Sequence, residues 1–117
     1  LNNIRGNIRF INMKRQLKAH GYSNEILSLN ETAFWKSIVS SYYYYHRYRH
    51  RFSQEEQQEA LYLIKYMREQ IDTTLLAPST RWRPGYWKMP SWILFRLQEE
   101  TYFLLRRLIK NDNSTLE

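Results

Sequence analysis

Ser53-Gln54-Glu55-Glu56-Gln57-Gln58-Glu59-Ala60-Leu61-Tyr62-Leu63-Ile64-Lys65-Tyr66-Met67-Arg68-Glu69 is the stretch on which the fold turns. It opens on Ser-x-x-Glu, the capping-box pattern, in which the Ser53 hydroxyl accepts from the N–H three residues on and Glu56 reaches back to the N–H of Ser53. Behind the cap, Ala60, Leu61, Ile64, Met67 or Arg68, and Ile71 recur at three and four, the spacing that gathers side chains on one helical face. Glu55, Glu56 and Glu59 sit near the positive end of the helix dipole, and Thr73-Thr74 weakens propagation at the far end. A helix with one apolar stripe needs other elements to cover it, and the flanking sequence supplies them in the same periodicity.

Upstream, Ile4, Ile8 and Ile11, with Phe10, Met13 and Leu17 one face over, predict a helix from Asn3 to about His20. Asn3 is placed to cap its start, and Gly21 to close its end in the left-handed conformation, with Lys18 and His20 near the negative pole. After a short connection through Tyr22, Ser23 and Asn24, Asn30 offers a second cap. Phe34, Trp35, Ile38, Val39 and Tyr42 then predict a helix that reaches about His50. The four tyrosines Tyr42 to Tyr45 have strand propensity, and His46-Arg47-Tyr48-Arg49-His50-Arg51 alternates, but the three-and-four spacing entering this run favours helix.

Downstream, residues 75–90 hold all three prolines, Pro78, Pro84 and Pro90, together with Gly85, and read as a long extended connection. A last helix is expected from Ser91, carrying Trp92, Phe95, Tyr102, Leu105 and Ile109 and closing on Arg106, Arg107 and Lys110; residues 111–117 read as a frayed tail. The fold class is therefore all-α: about four main helices packed as a small bundle, with a long Pro/Trp-rich loop before the last. With 117 residues and only three glycines, the chain fits one helical domain over residues 1–110. It contains no cysteine, which excludes disulfides and thiolate metal sites. No apolar run approaches the length of a membrane span. The start at Leu1 and the terminal Leu116-Glu117 read as an excised piece of a larger chain with a vector-derived end.

The net charge of +7 is concentrated in residues 1–52, which hold nine Lys/Arg against two acids, while the remainder balances. Such asymmetry suits a nucleic acid, an anionic membrane surface or an acidic partner, or is simply a solvated face. Arg47, Arg49 and Arg51 interleave with tyrosines, an arrangement that suits stacking on bases and holding phosphates. At helical spacing, however, Tyr42 and Tyr45 continue the apolar stripe while the arginines carry their charged heads into water. Arg81-Trp82-Arg83 with Trp87 is a second cationic and aromatic group, suited to a phosphate or a sugar ring, or to pinning the loop onto the helices. His46 and His50 stand four apart as metal ligands would, but the neighbouring arginines repel a cation and no carboxylate lies within a turn, so no metal site is expected. No triad, P-loop, dinucleotide fingerprint or paired-carboxylate site is present in the sequence, and no catalytic or cofactor-binding residue is assigned.

The order of these segments resembles a known family. A helix of the Asn3 to His20 type, Phe34-Trp35 opening a Tyr-rich helix through Tyr45-His46-Arg47, a Ser-Gln-Glu-Glu helix with Met67-Arg68-Glu69, Trp87-Lys88-Met89-Pro90, and Tyr102 to Arg107 resemble the helical C-terminal region of bacterial family-2 glycosyltransferases. The Gln-x-x-Arg-Trp motif of processive members is not matched: Arg81-Trp82 is present, but Pro78 stands at the Gln position. The resemblance implies an upstream catalytic domain of the same chain that binds the nucleotide-sugar with a divalent metal. This segment would be a non-catalytic accessory to polysaccharide biosynthesis, cytoplasmic and peripheral to the inner membrane. The alternatives from residue chemistry are a basic nucleic-acid-binding module using Arg47, Arg49, Arg51, Arg81 and Trp82, with salt-sensitive affinity, and a protein-interaction bundle.

Overall fold

The computed structural model describes residues 1–76 and 92–116, excluding the side chains of residues 111–116. The protein is an all-α bundle. Its helices are α1 (Asn2–Gly6), α2 (Arg9–Ala19), α3 (Asn24–Tyr48), α4 (Gln54–Glu69) and α5 (Trp92–Leu116), with single 3₁₀ turns at Arg49–Arg51 and Thr73–Leu75. The described residues contain no strand. None of the described helices is long and apolar enough to cross a membrane. The chain divides into two units, Leu1–Pro84 and Gly85–Glu117. The expected Pro/Trp-rich loop lies outside the described residues, apart from its first two, Leu75 and Leu76.

In the first unit α3 is the central element, flanked by α2 and α4, while α1 packs on α4. Its buried residues are Phe34, Trp35, Ile38, Tyr42 and Tyr45, which meet Ile4, Ile11, Ala60, Ile64 and Met67 in one core. The Phe10 and Phe34 rings stack with centroids 5.7 Å apart. The α4 stripe is the one its spacing requires, and its capping box is complete: Glu56 N donates to Ser53 Oγ at 3.1 Å and Ser53 N donates to Glu56 Oε1 at 3.0 Å. The bond from Ser53 N, followed by the contribution of the Ser53 hydroxyl, holds the Glu56 carboxyl below the usual carboxylate range.

Three boundaries differ from the sequence expectation. The first helix is interrupted at Gly6-Asn7-Ile8, where bonding tightens to three-residue steps, from Asn7 N to Ile4 O at 3.2 Å and from Ile8 N to Arg5 O at 3.3 Å. Gly6 propagates a helix poorly, and Asn7 is drawn instead to α3, its Nδ2 donating to Ser41 Oγ at 2.7 Å. Asn3 consequently lies inside α1 and caps nothing. Next, α3 starts six residues before Asn30 because Ser23 is its cap, accepting from Ile26 N at 3.4 Å. Asn30 sits in the second turn, its Nδ2 buried without a hydrogen-bond partner. Finally, α5 continues through the polar tail to Leu116. On α5, Phe95 and Phe103 are buried but Tyr102, Leu105 and Ile109 are exposed, so the expected stripe is only partly the buried one.

Gly21 behaves as expected, at φ +69°, where a side chain would be strained. Tyr22 N donates to Leu17 O and Gly21 N to Lys18 O, both at 3.2 Å, the paired bonds of a Schellman closure. This turn sends α3 back along α2.

A polar cluster ties the three large helices of this unit together. Lys14 Nζ, on α2, donates to Glu31 Oε1 of α3 at 3.0 Å and to Gln70 O at the end of α4 at 2.7 Å. Asp72 N donates to the same Glu31 oxygen at 2.9 Å. The Glu31 side chain is only 1% exposed, and Lys14 is the cation paired with it. By contrast the Arg5–Glu59 pair between α1 and α4 is bidentate, at 2.9 and 2.7 Å, but open to solvent. Glu59, expected to serve the dipole alone, is held below the usual carboxylate range by that Arg5 contact.

Removing one member of a buried ion pair leaves the other charged and uncompensated. Lys14→Met is therefore expected to lower the unfolding free energy by about 3 kcal/mol or more. Adding Glu31→Gln, whose amide oxygen still accepts from Asp72 N, should recover most of the loss. Chemical denaturation followed by circular dichroism checks both, and a single variant as stable as the parent contradicts the role given to Lys14.

Candidate anion-binding surface

The end of α3 sorts its residues into two populations. Tyr42 and Tyr45 point inward and are buried, with ring centroids 5.7 Å apart. The aromatic stripe is thus core, as its helical spacing implies. Around it Tyr44, Tyr48 and Phe52 form a half-buried group, Tyr44 lying 4.8 Å from Tyr48 and 6.1 Å from Phe52. The arginines lie over these rings. Arg47 and Arg51 both approach Tyr48, with guanidinium carbons 5.4 and 5.2 Å from its centroid, and Arg49 lies 6.0 Å from that of Tyr45.

Local geometry explains this convergence. Helix α3 ends at Tyr48, and the 3₁₀ turn Arg49–Arg51 changes the step per residue, so Arg47 and Arg51 are no longer held one above the other by regular α-helical spacing. Gln57 of α4 fixes the turn, its Nε2 donating to Arg49 O at 2.8 Å and Phe52 O at 3.3 Å. Arg47 Nη1 also donates to Tyr43 Oη at 3.4 Å. Each guanidinium spends one face on an aromatic ring, while Arg47 and Arg51 remain exposed. A cation over a ring is attracted by the negative π face, which restricts a long side chain without neutralising it. The result is two positive groups oriented by one tyrosine.

Beside this surface is a polar cleft of about 460 Å³, lined among others by Asn2, Asn3, Asn7, Arg9, Ser40 and Tyr44. Tyr44 belongs to both the cleft and the aromatic group, so the two adjoin. Amide donors, a guanidinium and a phenol suit an anionic or hydroxyl-rich head group. Sequence reasoning missed this cleft because it assigned Asn3 to capping; the close succession of Asn2, Asn3, Gly6 and Asn7 was the available signal.

Of the candidate residues, the structure brings Arg47, Arg49 and Arg51 to one end of α3, with Arg49 half-buried and the other two exposed. Arg81, Trp82, Arg83 and Trp87 lie outside the described residues. His46 is half-buried and His50 exposed, and the described residues contain no group of three His, Cys, Asp or Glu side chains able to hold a metal ion. Comparison with protein-family models, curated proteins and solved structures finds no match to this chain.

The two populations differ in what they hold up. Arg47→Ala with Arg51→Ala should change stability by no more than about 0.5 kcal/mol per site, as exposed positions do. Tyr42→Ala, at a site with no exposure, is expected to cost about 3 to 5 kcal/mol. Thermal melts of the two variants side by side separate surface from core, and comparable losses in both would contradict that division.

Proposed function

We propose that this chain is a non-catalytic helical accessory domain of a bacterial glycosyltransferase. In this reading it rests the Arg47–Tyr48–Arg51 surface on the anionic inner face of the membrane, where lipid-linked acceptors lie. The observation that carries the proposal is the pair of exposed guanidinium groups within 5.5 Å of a single half-buried tyrosine ring, a cationic and aromatic patch at one end of the bundle. Basic side chains near an anionic leaflet gain about 1 kcal/mol each, and tyrosine favours the head-group level.

The family resemblance supplies the enzyme class. Phe34 and Trp35 are core of α3, Ser53 and Glu56 cap α4, Met67 is buried, and Tyr102 to Arg107 lie on α5. The described part of the resembling pattern is therefore largely scaffold, which suits an accessory role. The nucleotide-sugar, its divalent metal and the sugar-transfer chemistry belong in this reading to an upstream catalytic domain of the same chain. That domain is also the natural intramolecular partner. The adjoining polar cleft is placed to receive the hydroxyl-rich or phosphorylated part of an acceptor.

Two experiments test the reading at its two levels. The reading frame upstream of Leu1 in the source genome should encode a domain of alternating strands and helices with an Asp-x-Asp motif; a start codon there instead removes the enzyme assignment. Vesicles containing an anionic phospholipid should co-sediment with the chain, and neutral phosphatidylcholine vesicles should not. Arg47→Ala with Arg51→Ala should weaken that binding roughly 30-fold, about 2 kcal/mol. Failure to bind vesicles together with salt-sensitive binding of single-stranded oligonucleotides, lost in the same variant, would replace the membrane reading with nucleic-acid recognition.

A further inference from the structure

The last helix presents a mixed face, which is buried, and an apolar one, which is not. Phe95, Glu99 and Phe103 are buried at four-residue steps along the first. Roughly opposite, by the 100° advance of each α-helical residue, lies a row that stays in solvent. Ile93 is 68% exposed, Leu97 59%, Leu104 51% and Leu108 51%, and Leu94 and Leu105 are comparable. Single exposed leucines are unremarkable on a protein surface, but a continuous row along several turns is not.

The spacing of the row is specific. Leu94, Leu97, Thr101, Leu104 and Leu108 alternate steps of three and four, the heptad seam by which two helices pack knobs into holes. Glu100 and Arg107 occupy the same flanking heptad position one repeat apart. In an antiparallel pair that places Leu97 against Leu108 and Thr101 against Leu104 of a second copy, Glu100 of each chain falls beside Arg107 of the other. The face is thus complementary to itself about a two-fold axis, as an isologous interface requires. In a parallel pair Glu100 would instead flank Leu105 and lose its opposite charge. The exposed side chains offer on the order of 700 Å² per copy, close to what each partner contributes to a standard-size interface.

We propose that the outer face of α5 is a self-association surface through which two copies of this chain pair antiparallel. This goes beyond the function proposed for the Arg47–Arg51 surface and stands on α5 alone.

Sedimentation equilibrium of the whole chain, from micromolar to millimolar concentration, should show a species of twice the 14.5 kDa chain mass. Leu97→Lys with Leu104→Lys should be monomeric at every concentration while keeping its helical circular dichroism. A charge test avoids altering the apolar seam. Glu100→Arg alone and Arg107→Glu alone should each self-associate at least 10-fold more weakly, and a mixture of the two should form a heterodimer in which every flanking pair is opposite in sign. A parent chain that stays monomeric up to millimolar concentration overturns the proposal. So does a dimer indifferent to these substitutions, or a mixture that fails to associate.

Discussion

Lys14 and Glu31 make the contact on which the arrangement of the first unit depends. A carboxylate that is 1% exposed is unfavourable unless opposite charge and donors surround it, and here both come from elements distant in sequence. The ammonium of α2 supplies the charge, the N–H of Asp72 after α4 supplies a donor, and Glu31 itself comes from α3. Lys14 also meets the carbonyl of Gln70, where the end of α4 concentrates negative partial charge. One side chain therefore meets both Oε1 of a buried acid, whose Oε2 has no hydrogen-bond partner, and a helix end. Hydrophobic packing of Phe34, Ile38, Ile64 and Met67 tolerates small slides of one helix along another; this geometry does not. Ser28 Oγ, donating to Leu75 O at 2.6 Å, secures the same corner.

With that corner fixed, the opposite end of α3 is set by the helix length. The bundle carries Tyr42 and Tyr45 inward and leaves the arginines of the following turn at the rim, their direction set by Tyr48 and by Gln57 beneath. The rim is cationic because no carboxylate on α3 after Glu31 offsets its arginines, and it is ordered because rings hold the guanidinium groups. This division of labour suits a surface for a diffuse anionic target such as a membrane face. Geometry fixes the position of the charges while leaving Arg47 and Arg51 exposed. The α5 seam is a different kind of surface, apolar and periodic, and it calls for a partner helix of matching repeat.

The sequence revealed those features that are encoded within a turn or two of helix. Ser53 and Glu56 announce α4 because both halves of a capping box are local, and Gly21 announces a closure because only a left-handed residue makes one. The core stripe of α3 was legible from Phe34 to Tyr45 because its spacing never breaks. The start of α3 was not, since Ser23 and Asn30 are both good caps and the choice depends on where α2 delivers the chain. The break at Gly6-Asn7 is only partly local: Gly6 is a poor helix former, but the bond that draws Asn7 away is to Ser41, thirty-four residues distant. The Lys14–Glu31 contact was invisible because its partners are likewise distant in sequence. On α5 the more continuously apolar row stays exposed while Phe95 and Phe103 are buried beside Glu99, so periodicity alone could not say which face is buried. The rim arginines were singled out by composition, whereas the adjoining cleft required the α1–α2 break to be known.

The claim that the end of α3 faces an anionic surface is tested most directly by nuclear magnetic resonance of the isotopically labelled chain titrated with nanodiscs of anionic phospholipid. Resonances of Tyr44, Arg47, Tyr48 and Arg51 should shift or broaden first and saturate together, with those of Tyr62 and Lys65 on α4 unchanged. Perturbation that begins elsewhere in the chain, or a spectrum unaltered at saturating lipid, would contradict it.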